Sequence, residues 1–202
     1  MITIHNFARG ARGLRVAWQC EEMGLPYRVQ HHPFPTPPSY RVLNPLGSVP
    51  FLEDDADGVA MGESVAMMLY LAHRYGPTSL LPADPADAYA RVLQWTVFSE
   101  ATLGAALGPL MTARFMAPEG EKQNWSVRAS GARIEQVLAH LSDSLGEGPW
   151  LLGEAFSLAD IAISTALSMW QGALDGVLTE RLAAYQSRAT AREAHQRARG
   201  AG

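Results

Sequence analysis

The sequence predicts a mixed α+β half over residues 1–80 followed by an all-helical half over residues 85–202. Three observations predict it. Strand-type alternation is confined to the first part, and no stretch after Pro85 reads as a strand. Between the two lies Leu80-Leu81-Pro82-Ala83-Asp84-Pro85, a break punctuated by prolines.

In the first half, Met1–Phe7 alternates around Ile2 and Ile4 and reads as a strand. Leu14–Met23 reads as a helix, apolar at Leu14, Val16, Ala17, Trp18 and Cys20, stopped by Gly24 with Pro26 beyond. Tyr27–His31 is a second strand. The loop with Pro33, Pro35, Pro37 and Pro38 cannot be a central strand, because proline lacks the ladder donor. It leaves room for a short helix near Ser39–Leu43. Pro50–Glu53 and Val59–Met61 flank Asp57-Gly58, a hairpin signal. Ser64–Tyr75 is an apolar helix closed by Gly76-Pro77.

In the second half, Pro85–Met116 reads as one long helix bent at Pro109, where a backbone donor is missing and the ring crowds the preceding turn. Glu119–Leu145 and Ser157–Leu174 follow as long helices, and Thr179–Ser187 and Ala191–Arg199 as shorter ones. Ser157 and Asp160 stand at the N-cap and N3 positions of a capping box, with Phe156 and Ile161 at the positions of a hydrophobic staple.

Composition narrows the function classes. Apolar residues make up 48% and charged residues 18%, which fits a folded chain that buries a core rather than a disordered one. A single cysteine, Cys20, excludes a disulfide framework and fits a reducing compartment. The net charge of −4 speaks against nucleic acid as partner. Lys122, the one lysine, follows Glu121 and not glycine, so no phosphate-binding lysine loop is present. The opening MITIHNFARG has no apolar signal core, and no apolar run approaches a membrane span, so a cytoplasmic protein without a membrane partner is expected. His31 and His32 are adjacent and point to opposite faces of a strand, and the other histidines show no ligand spacing, so no metal site is expected.

Four segments carry a family likeness: LRVAWQCEEMGLPY at 14–27, NPLGSVPFLED at 44–54, GESVAMMLYL at 62–71 and WLLGEAFSLADIA at 150–162. In this order and at these separations the chain resembles the cytosolic glutathione S-transferases of bacterial type over nearly its whole length. The resemblance implies a thioredoxin-like domain over residues 1–80 that binds glutathione as co-substrate. An all-helical domain over residues 85–202 would form the wall for a small apolar electrophile, with Leu107, Met111 and Phe115 as lining candidates. It also implies a cis Val49-Pro50 bond, which exposes the Val49 backbone for strand-like pairing with the cysteinyl part of glutathione. Catalysis would be attack of the bound thiolate on an electrophilic carbon, in a homodimer.

The residues allow the same chemistry. A helix N-terminus holds anions through its free N–H groups and about half a positive charge. Ser64, just ahead of an apolar helix, offers a hydroxyl and an amide to the γ-glutamyl carboxylate, and Glu63 a countercharge to the neighbouring ammonium. By itself Ser64 would read as an ordinary N-cap; Ser48-Val49-Pro50 upstream turns the reading toward a ligand.

The position that activates the thiol departs from the family. The tyrosine position falls at about Asn6, the serine position at about Gly10 and the cysteine position at about Arg12, so none of the usual side chains is present. Cys20 sits on the apolar side of its helix and reads as a buried small hydrophobe. Asn6, Arg9, Arg12 and the helix amides around Ala11 remain, and a cation with amide donors can stabilise a thiolate without a hydroxyl. Two alternatives stay open: another glutathione chemistry (peroxide or disulfide reduction, isomerisation), and a non-catalytic binding or assembly module.

Overall fold

Ile2 and Ile4 place their strand in the middle of a sheet. The computed structural model describes residues 1–8 and 12–201. In it β1 (Ile2–Phe7) runs parallel to β2 (Tyr27–His32) and antiparallel to β3 (Phe51–Asp54), which pairs in turn with β4 (Val59–Met61). The sheet order is β2-β1-β3-β4. An interior strand is covered on both faces, and Ile2 and Ile4 on one side and Thr3 and His5 on the other are all buried.

The β1–β2 crossover is α1 (Gly13–Met23), which buries Val16, Trp18 and Cys20. Gly24 ends it at φ 64, a left-handed conformation that costs glycine little, and the Leu25 N–H reaches back to the Cys20 carbonyl at 2.8 Å. A short 3₁₀ helix, Pro38–Val42, fills the proline-rich segment. After β4, α2 (Ser64–Arg74) buries Met67, Met68, Leu71 and Ala72. Its far end is tied to the hairpin: the Tyr70 and Tyr75 hydroxyls donate to Asp54, and Arg74 pairs with Asp57.

By packing, the chain divides into two units, Met1–Thr78 with Thr190–Gly202 and Ser79–Ala189. Unit 1 is thioredoxin-like: a mixed four-stranded sheet with helices. Its C-terminal piece is α8 (Glu193–Ala201), which packs on α1. Arg192 clasps Glu22 through two bonds at 2.6 and 2.7 Å, Arg197 meets Glu21 at 2.7 Å, and His195 stands edge-on to Trp18 with centroids 4.6 Å apart.

Unit 2 is all-helical among the described residues. The expected single helix from Pro85 to Met116 is instead α3 (Ala86–Phe98), a π-helical turn Ser99–Gly104 and α4 (Ala105–Phe115). Pro109 lies inside α4, and the irregularity falls just upstream of it, where a wide turn absorbs the mismatch of a ladder that lacks one donor. The stretch expected as Glu119–Leu145 divides into a 3₁₀ turn, Glu119–Glu121, and α5 (Trp125–Ser144), started by Asn124 accepting the Val127 N–H at 3.1 Å.

The central helix α6 (Leu158–Leu174) is buried on every side through its first three turns. Asp160, itself fully buried, accepts from the Ser157 N–H and hydroxyl, the Leu151 N–H and the Tyr185 hydroxyl, each at 2.9 Å. The last of these partners comes from α7 (Glu180–Thr190). Phe156 packs edge-on against Trp150. No described helix is long and apolar enough to cross a membrane.

Candidate functional site

The site in unit 1 is built where β4 turns into α2. Glu63 occupies the N-cap of α2 with φ 63 and ψ 99, a region that residues bearing a Cβ rarely enter. Its side chain is exposed and makes no capping bond. Such strain, of order 1–3 kcal/mol, is held where surrounding structure enforces it and concentrates at ligand sites. The corner sets Ser64 as the first helical residue, buried at 4% exposure, ahead of the amides of the first turn. Ser64 Oγ accepts from Arg15 Nη1 at 3.2 Å, and Arg15 is itself fully buried on α1.

Upstream of β3, the Val49-Pro50 bond is cis. The ladder of β3 with β1 begins at Phe51, so the Val49 backbone lies beyond it. The approach is held by the Ser48 carbonyl, which accepts from Asn44 Nδ2 at 2.7 Å and from the Tyr40 hydroxyl at 3.1 Å.

Asn6, in β1, is buried, and its side chain lies against α1 at Gly13: a Cβ on Gly13 would stand 2.4 Å from Asn6 Cγ, so only glycine allows the approach. Among the described residues no donor reaches Asn6 Oδ1. Arg12 is the half-buried N-cap of α1, and its carbonyl accepts the Arg15 N–H at 3.2 Å. Arg9, Gly10 and Ala11 lie outside the described residues. Asn6 and Arg12 therefore gather at the start of α1, while Glu63, Ser64 and Val49 belong to the adjoining α2 and β3 ends of the same unit. Cys20 is fully buried; burial first, then the Glu21 and Asp54 charges, push its thiol up to about 12. It cannot act as an exposed thiolate.

Two features escaped the sequence reading. One is Arg15, which lies within the segment at 14–27 and has no role of its own in that reading. The other is a histidine pair. His5 Nε2 lies 2.7 Å from Glu53 Oε2, and His5 Nδ1 lies 2.9 Å from His32 Nε2. With His5 donating to the Glu53 carboxylate, a neutral His5 must accept from His32, which fixes both tautomers. His32 lies in turn against Tyr40 with the rings tilted at 43°, centroids 4.2 Å apart. Burial, and then the neighbouring His5 and His31, lower the pKa of His32. Only the strand register brings β1 and β2 histidines together, and no local pattern reports it.

The model of the glutathione S-transferase N-terminal domain matches residues 12–74, and that of the C-terminal domain residues 126–197. Glutathione S-transferase GstA of Escherichia coli O157:H7 is 31% identical over 154 residues, spanning 74% of this chain and 71% of that protein. The chain belongs to the glutathione S-transferase family. Among solved structures, a glutathione transferase from Methylococcus capsulatus str. Bath superposes with a TM-score of 0.83 at 28% identity, covering 100% of this chain and 98% of that one. Another, from Burkholderia graminis, has two glutathione molecules bound per subunit; its TM-score is 0.82 at 25% identity, over 98% of this chain and 87% of that one. The family membership accounts for the thioredoxin-like unit followed by helices.

In unit 2 the lining candidates do not share one environment. Leu107 is 1% exposed and belongs to the helical core, which removes it as a pocket wall; Met111 packs against that core and Phe115 is 58% exposed. An open cavity of about 400 Å³ lies elsewhere in this unit, between α4, α5 and α6, lined by Leu110, Ile134, Trp170 and Leu174 among others.

Proposed function

We propose that this chain is a glutathione transferase that binds glutathione on unit 1 and conjugates its thiolate to a small apolar electrophile, acting as a cytoplasmic homodimer. The observation that carries the reading is the strained Glu63–Ser64 corner. It presents a carboxylate, a hydroxyl and free helix amides together, a set matched to the ammonium and carboxylate of the γ-glutamyl group. The Val49 backbone, beyond the ladder, is the edge for the cysteinyl unit. The glutathione bound in the Burkholderia graminis relative supports the choice of ligand.

Thiol activation then falls to Arg12, Asn6 and the start of α1, with Arg9 as a further cation. A lowering of one pKa unit requires about 1.4 kcal/mol of differential stabilisation. A helix N-terminus supplies up to about 2 kcal/mol in partly buried geometry, and the half-buried Arg12 adds to it. The apolar contacts of the electrophile are assigned to unit 2, with Met111 and Phe115 as the remaining candidates.

A second reading, glutathione binding without turnover, draws on Asn6 standing where the family places a hydroxyl. The buried Cys20 speaks against disulfide reduction through a protein thiol. Calorimetric titration with glutathione, then turnover against an aryl halide, an epoxide, an enone, a hydroperoxide and a mixed disulfide, separates these. Binding with aryl or alkyl transfer is expected; binding with no turnover on any of them would establish the second reading, and no binding would refute both.

A further inference from the structure

We propose that Arg15 is a positioning residue of the glutathione site, holding the Ser64 hydroxyl so that its proton is directed to the γ-glutamyl carboxylate. The inference rests on the reading of Ser64 as a carboxylate ligand.

A serine hydroxyl has one proton and rotates to suit its partners. Here the Arg15 guanidinium, which can only donate, occupies an acceptor position of Ser64 Oγ at 3.2 Å. With that lone pair engaged, the O–H remains to donate to an incoming oxygen anion. The guanidinium keeps its charge at any working pH and is fully buried beside the start of α2, within hydrogen-bond reach of Ser64. Its charge adds to the positive end of the helix itself. Both favour the same ligand, a carboxylate.

The comparison one turn along the same two helices shows that docking alone does not require a cation. Gln19, four residues after Arg15, donates from Nε2 to the carbonyl of Met68, four residues after Ser64, at 2.9 Å. Thus α1 and α2 meet in a regular register, 15 with 64 and 19 with 68. At 19 a neutral amide bridges the helices. At 15, beside the corner at Glu63, the bridge is a permanent positive charge.

The test is calorimetric titration of wild type, Arg15→Met and Arg15→Lys with two tripeptides: glutathione, and γ-aminobutyryl-cysteinyl-glycine, which keeps the amine but lacks the γ-glutamyl carboxylate. Methionine keeps much of the apolar stem, and the Gln19 bridge is untouched. Hydrogen bonds to charged groups set the scale: Arg15→Met should weaken glutathione binding about 10- to 100-fold and the analogue less than about 3-fold. Arg15→Lys keeps the charge and should recover only part of the lost affinity, staying about 3- to 10-fold below wild type for glutathione. If Arg15→Met does not fold, Arg15→Lys carries the test alone, because an ammonium replaces the Nη1 donor to Ser64 with a different reach, and the weakening of about 3- to 10-fold should appear for glutathione and not for the analogue. Unchanged glutathione affinity in the folded variants, or equal loss for both tripeptides, overturns the positioning role and leaves the glutathione site standing. Failure of wild type to bind glutathione overturns the site reading itself.

Discussion

Replacing Glu63 by alanine and by glycine separates strain from ligand recognition at the α2 corner. Alanine removes the carboxylate but keeps a Cβ at φ 63, and glycine removes both. The Glu63 side chain is exposed and caps nothing, so Glu63→Ala should change the stability of the free protein by less than about 0.5 kcal/mol. Glycine relieves the 1–3 kcal/mol of strain and gives back roughly 0.5–1 kcal/mol of chain entropy, a net gain of about 1 kcal/mol. For a chain of this size that is about 2–4 °C in Tm, with glycine above alanine. Glutathione at a hundredfold excess over Kd should stabilise wild type by about 2.7 kcal/mol, or roughly 5–10 °C, and both variants should lose most of this rise. Thermal melts monitored by circular dichroism, with and without glutathione, read all of these quantities. A glycine variant that melts at or below the alanine one would refute the strain argument. A full glutathione-dependent rise in Glu63→Ala would remove Glu63 from the ligand site.

Three further outcomes are expected. Arg12→Ala should raise the thiol pKa of bound glutathione by about one unit and slow transfer at neutral pH, the loss shrinking as pH rises; thiolate absorbance of the binary complex checks this, and a shift in Asn6→Ala instead would assign the role to Asn6. Burial alone would raise the pKa of Asp54, but the Tyr75 and Tyr70 hydroxyls and the Ala56 amide outweigh it and hold it below 3.8. The stability it contributes is therefore present above the unfolded value and lost as pH falls through the folded one, and urea midpoints from pH 7 to 2 should fall less steeply in Asp54→Asn than in wild type. Ending the chain at Thr190 removes the Arg192–Glu22 and Arg197–Glu21 pairs and the His195 contact with Trp18, and should lower the Tm by more than about 5 °C; an unchanged melt would show that α8 does not hold α1.

How much of this could be read beforehand depends on the range of the interaction responsible. Caps, turns and periodicity are local, so β1, α1, the Asp57-Gly58 hairpin, α2 and the Ser157–Asp160 start of α6 stand where the chain itself marks them. Pro109 marks a missing donor but not where the ladder absorbs it, and the wide turn falls at Ser99–Gly104. Register is non-local, which is why the His5–His32 pair and the Arg15–Ser64 bond have no signature along the chain. The conformation of Glu63 is likewise imposed by the sharp passage from β4 into α2, since no residue preference writes a positive φ at glutamate.

The same distinction bears on the missing hydroxyl. A tyrosine or serine hydroxyl can activate a thiol by one bond; Asn6 offers an amide and no O–H. On the proposed reading, the thiolate would be stabilised by field rather than by contact, from the start of α1 and the half-buried Arg12, while the amide end of α2 beside the buried Arg15 would hold the carboxylate. Thiolate stabilisation of this kind should weaken gradually as single groups are removed, and no one substitution should abolish it. A site that depended on one hydroxyl would fail all at once. The graded response expected of the Arg12 and Asn6 variants is therefore the signature that distinguishes a distributed field from a single activating group.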